Sequence, residues 1–87
     1  MTCAVFIKAS ALKALARLPK ADQARLRARI DALATEPRPQ GVVKLAGEEN
    51  LYRVRAGDYR IIYEIRDDVL RVLVISIGHR REVYRRR

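Results

Sequence analysis

With 87 residues, 49% of them hydrophobic and 33% charged, the chain supports one domain over 1–87 with a modest core and is too apolar for a disordered segment. Nineteen basic residues against ten acidic ones leave a net charge of +9, which points to a polyanionic partner. Fifteen of the nineteen are arginine, the side chain that grips phosphate or carboxylate in a bidentate fork.

Cys3 is the sole cysteine, so no intramolecular disulfide can form, and no Cys/His group has zinc-ligand spacing. Neither a metal nor a cofactor is expected. The apolar run from Cys3 to Ile7 stops at Lys8, too short for a signal-peptide core or a membrane span. A cytoplasmic protein with no membrane contact is the expectation.

In chain order, Ala4 to Ile7 reads as a short strand. The segment ASALKALARLP then places Leu12, Leu15, Ala16 and Leu18 at helical spacing, up to Pro19. Pro19 suits the start of a second helix, in which Leu26, Ile30 and Leu33 recur at i, i+4, i+7 and which ends near Thr35, before Pro37 and Pro39. Strands follow at Val42 to Leu45, Leu51 to Ala56, Tyr59 to Ile65 and Val69 to Ile77. The class is α+β: an N-terminal strand, a helical hairpin, then antiparallel strands forming a small sheet with the helices on one face.

Gly57-Asp58 is a two-residue hairpin loop with glycine first, as a type II′ turn requires. It sets Arg55 opposite Arg60, Val54 opposite Ile61, Arg53 opposite Ile62 and Tyr52 opposite Tyr63, so that Arg53, Arg55 and Arg60 share one face. A second two-residue loop at Asp67-Asp68 would place Arg66 opposite Val69 and Arg60 opposite Ile75. The arginine face then continues through Glu64, Arg71, Leu73, Ile75, Ile77 and His79. The other face reads Tyr52, Val54, Ile61, Tyr63, Ile65, Leu70, Val72 and Val74 and should carry the helices.

Like charges facing each other across a ladder are destabilising. Two adjacent strands that spend outward positions on arginine are therefore either ordinary solvated edges or the seat of an anion. No Ser/His/Asp set, no paired carboxylates and no phosphate-cradling glycine loop is present. The cluster suits cleavage of an RNA phosphodiester by its own 2′-hydroxyl, which needs a base, cations for the phosphorane charge and an acid for the leaving 5′-oxygen.

The segments YRVR, GDYRIIYEI and GHRREVY, in this order and spacing, strongly resemble the RelE/ParE toxin superfamily over nearly the whole chain. For RelE-type members the resemblance implies an endoribonuclease that cleaves messenger RNA in the ribosomal A site. Such a toxin is held inactive by an acidic, RelB-like antitoxin, through which the complex binds operator DNA. ParE-type members instead inhibit DNA gyrase. The resemblance places catalytic residues at Arg53, Arg55, Arg60, Arg80 and Tyr84, with His79 and Arg81 as candidate substrate contacts. RelE proper has lysines where this chain has Arg53 and Arg55.

Tyr84 and His79 compete for the role of base, and the proton donor rests on the resemblance alone. Arg25 and Arg29 share one face of the second helix, either as solvated surface or as a contact to ribosomal RNA. Arg85, Arg86 and Arg87 add non-specific attraction to nucleic acid.

Overall fold

The structure, a computed structural model, describes residues 2–79. β1 (Ala4–Ile7) leads into α1 (Ala9–Ala16) and α2 (Lys20–Ala32), followed by β2 (Val43–Lys44), β3 (Leu51–Ala56), β4 (Tyr59–Arg66) and β5 (Arg71–His79). The sheet runs β1-β5-β4-β3-β2. Every neighbouring pair is antiparallel except β1 and β5, which are parallel with Ala4 beside Arg71 and Ile7 beside Val74.

Burial explains the helices better than propensity. Leu26, Ile30 and Leu33 form the buried stripe of α2 and its C-terminal turn, at 0 to 2% exposure, and burial of each such side chain contributes roughly 1.5–3 kcal/mol. In α1 the buried pair is Ala11 and Leu15, whereas Leu12, expected in the core, is 44% exposed. The hairpin is tied at its bend by Gln23, whose side-chain amide donates to the Leu18 and Ala16 carbonyls at 2.8 and 3.2 Å. Two orphan acceptors at the end of α1 are thereby satisfied.

The expected core face is as read except at Leu70: Tyr52, Val54, Ile61, Tyr63, Ile65, Val72 and Val74 are all buried under the helices. The β3–β4 register also agrees, with Arg55 opposite Arg60 and Tyr52 opposite Tyr63. Gly57 has φ +63°, the left-handed backbone that this turn demands.

The β4–β5 connection differs from the expectation. Asp67–Val69 form a 3₁₀ turn and Leu70 adopts φ +50°, so Arg66 pairs with Arg71 rather than with Val69. Leu70 is consequently a turn residue, 37% exposed, and not a core one. Arg66 closes over the turn, donating to both carboxylate oxygens of Asp68 at 3.2 and 2.9 Å.

A β-bulge further along β5 has a larger effect. The register shifts between Ile62 and Tyr63, so Tyr63 faces Val74 while Ile62 faces Ser76, which leaves Ile75 as the extra residue. From there the alternation inverts. Ile77 is 8% exposed and belongs to the core, Gly78 stands opposite Arg60 in place of Ile75, and His79 stands opposite Tyr59. Ile77 and His79 therefore leave the arginine face, because one inserted residue exchanges the two faces of a strand.

Behind the sheet, the segment after α2 is pinned by two tyrosines. The Tyr63 hydroxyl donates to the Pro37 carbonyl at 2.7 Å, and burial pushes its phenol up to about 12. Arg38 donates to both oxygens of Asp67 at 3.2 and 2.8 Å, reaches the Tyr52 hydroxyl at 3.3 and 3.4 Å, and stands 5.1 Å from the centre of that ring. That contact holds the Asp67 carboxyl below the usual range, and the Arg66 clasp does the same for Asp68. No helix among the described residues is long and apolar enough to cross a membrane.

Candidate functional site

The helices cover one face of the sheet, and the register assigns the side chains of the other. At one end, Gly78, Arg60 and Arg55 stand side by side across β5, β4 and β3. The next row holds Ser76, Ile62, Arg53 and, on β2, Val43; beyond it Phe6, Leu73, Glu64 and Leu51 line up. Arg71 and Arg66 close the far end. The arginine end thus adjoins an apolar stretch in which Phe6 is 53% and Val43 45% exposed.

Arg53, Arg55 and Arg60 are brought together as expected. Residues directly opposite on antiparallel strands have Cβ atoms about 4.5–5.5 Å apart, so Arg55 and Arg60 are forced into proximity by the hairpin itself. Two guanidiniums near 4 Å repel by roughly 1–4 kcal/mol, depending on how much water lies between them. Anion binding relieves that repulsion. Gly78 beside Arg60 contributes no side chain to the layer at that point. Arg55 is steadied by the turn: its Nε donates to the Gly57 carbonyl at 3.1 Å.

His79 lies apart from this row. Its ring meets Tyr59 edge to face at 5.5 Å, and both line a cavity of about 380 Å³ on the helix side, closed by Ala14, Arg17 and Leu18 of α1 and the following turn. The Tyr59 hydroxyl donates to Asp22 in the first turn of α2 at 3.0 Å. Arg80, Arg81 and Tyr84 lie outside the described residues. No three His, Cys, Asp or Glu side chains gather as a metal site among the described residues, and the chemistry on offer there is that of guanidinium groups.

Residues 5–84 match the model of the ParE toxin of the type II toxin–antitoxin system parDE. The chain belongs to the RelE/ParE superfamily of type II toxins. A Methanocaldococcus jannaschii protein assigned as toxin RelE1 is 30% identical over 77 residues, 85% of this chain and 86% of that protein. Among solved structures, the RelE–RelB complex of Pyrococcus horikoshii is 38% identical to this toxin, with TM-score 0.82 over 92% of this chain and 97% of the other. The RelBE2 toxin–antitoxin complex of Mycobacterium tuberculosis is 25% identical, with TM-score 0.81 over 91% and 99%.

The sequence offered no signal for the β5 bulge, which decides which residues flank Arg60. The separation of His79 from the arginine row follows from that bulge alone. Glycine at position 78 was visible, but its place beside Arg60 was not.

Proposed function

We propose that this RelE-like toxin is an endoribonuclease that cuts messenger RNA in the ribosomal A site. The observation that carries the reading is the Arg55–Arg60 pair beside Gly78, a cationic row at one end of the sheet suited to a phosphodiester. In this reading the substrate's 2′-hydroxyl attacks the adjacent phosphorus, and the 5′-oxygen leaves as the 2′,3′-cyclic phosphate forms. Arg53, Arg55 and Arg60 stabilise the charge that builds on the non-bridging oxygens, an effect commonly worth about 100- to 1000-fold per donor.

Tyr84 takes the proton from the 2′-hydroxyl and Arg80 supplies one to the leaving 5′-oxygen, with Arg81 as a substrate contact. These roles rest on the RelE resemblance. The helix-side position of His79 favours Tyr84 over His79 as the base. No metal or cofactor is required by the scheme.

The relatives solved as complexes with RelB support a cognate acidic antitoxin for this toxin. The exposed Phe6 and Val43 and the neighbouring arginines suit a segment that is both apolar and acidic. Ribosome and messenger RNA are the remaining partners, operator DNA is reached through the antitoxin, and the site of action is the cytoplasm.

Inhibition of DNA gyrase is the second reading, favoured by the ParE description of the matching family model. Induction of the toxin followed by primer extension on translated messages separates the two. Cuts within codons support the ribonuclease. Intact messages together with DNA damage would establish the gyrase inhibitor instead.

A further inference from the structure

A second group of arginines lies around the edge of β3. β2 pairs with β3 only through Val43–Arg53 and Lys44–Tyr52, so from Val54 to Ala56 no described strand lies on that side. Between this edge and α2 is a concavity of about 430 Å³ walled by Arg25, Arg29 and Arg55, with only alanines and Gly57 between them. No carboxylate of the described residues is in the wall.

Three features show that the guanidiniums are placed there by the fold. The first is the Nε of Arg55, fixed by its bond to the Gly57 carbonyl. Next, Arg25 closes over Gly57 so tightly that a Cβ at that position would lie 2.9 Å from its Nη1. Last, the Nε of Arg29 is buried and has no hydrogen-bond acceptor among the described residues. A buried donor left unpaired costs about 1–3 kcal/mol, and three like charges around one hollow add to that.

An anion with several acceptor oxygens would relieve the repulsion among the three guanidiniums. Alanine and glycine walls provide no pocket for the large apolar anchors by which peptides are held, whereas a phosphodiester needs only charge and donors. Arg55 belongs both to this hollow and to the row with Arg60 on the open face, so one strand crossing the β3 edge meets both. We infer that the Arg25–Arg29–Arg55 concavity binds a backbone phosphate of the same RNA strand whose scissile phosphate sits at Arg55 and Arg60, and so fixes the path of the strand. The inference rests on the ribonuclease reading.

The test is fluorescence anisotropy of a labelled RNA 12-mer, 2′-O-methylated throughout so that it cannot be cut, titrated with the full chain over a range of salt. Arg25→Gln/Arg29→Gln should raise Kd about 5- to 20-fold and make the slope of log K against log salt shallower by about 0.7–1. Ala28→Glu, which keeps every arginine and sets a carboxylate beside them, should weaken binding in the same way. Arg27→Gln, exposed on the same helix but outside the hollow, should change Kd less than about twofold.

Melting curves confirm that each variant is folded. Parent-like Kd and slope in both the double variant and Ala28→Glu would overturn the inference and leave the ribonuclease reading standing. The inference falls equally if both variants bind RNA normally but lose affinity for the acidic antitoxin. A parent chain without salt-dependent binding to the oligonucleotide would likewise overturn the inference, while the ribonuclease reading is decided separately by cleavage on ribosomes.

Discussion

Replacing Tyr63 by Phe removes one oxygen from the centre of the fold, and its cost can be worked out from the structure. The Tyr63 side chain is fully buried, and its hydroxyl donates to the Pro37 carbonyl at 2.7 Å. Phenylalanine keeps the ring packing and strands that carbonyl, a loss of about 1–3 kcal/mol. For a chain of this size that lowers the melting temperature by about 5–20 °C. Tyr52→Phe is the comparator, because its hydroxyl receives only the long contacts from Arg38 at 3.3 and 3.4 Å; it should cost less than about 1 kcal/mol.

An alkaline arm makes the test sharper. Burial raises the Tyr63 phenol from an ordinary 10.0 to about 12, so the folded state favours the neutral form. The stability linked to that proton is fully present below pH 10 and is lost as pH rises through 12. The shift corresponds to about 3 kcal/mol in all. Urea unfolding at pH 7 and at pH 11 should therefore show the parent ahead of Tyr63→Phe at neutral pH, with the gap narrowing at the higher pH. Equal midpoints at pH 7, or a gap that does not narrow, would refute the assignment of Tyr63 as a buried donor that anchors the segment leading to β2.

Tyr84→Phe should slow single-turnover cleavage by about 10²- to 10⁴-fold, while His79→Gln should cost less than tenfold. The reverse order, from the same assay at saturating enzyme, would move the base to His79. Asp67→Asn should lower the melting temperature slightly at pH 7, and parent and variant should converge as pH falls below about 4, because the Arg38 clasp that depresses the Asp67 carboxyl is lost on protonation. Gly57→Ala should destabilise by about 1–2 kcal/mol in urea unfolding, the cost of holding an L-residue at φ +63°.

Where a short loop fixes geometry, the fold could be read directly. Gly57-Asp58 permits one register, and that register alone sets Arg55 against Arg60 and separates the core face of β3 and β4 from the open one. The β4–β5 loop was not legible in the same way. Asp67-Asp68 looks like a tight turn, yet the chain spends four residues there and puts Leu70, a side chain with no preference for it, at positive φ. Nor does LVISIGH announce that Ile75 will bulge.

Without that bulge, His79 and Ile77 would sit among the arginines; with it, Ile77 is core and His79 faces α1. The partner of the first strand was equally hidden, because parallel pairing of Ala4–Ile7 with β5 depends on contacts between the two ends of the chain. The arginine hollow beside α2 belongs to the same class: Arg25 and Arg29 are one turn apart in sequence, but only the fold adds Arg55.

The ribonuclease account turns most directly on purified toxin acting on ribosomes stalled with a defined codon in the A site, with parent and Arg60→Ala compared by primer extension. The account predicts a cut within the A-site codon for the parent and a rate about 100- to 1000-fold lower for Arg60→Ala, with melting curves confirming that the variant is folded. No cut by the folded parent, or equal cutting by folded Arg60→Ala, would contradict it.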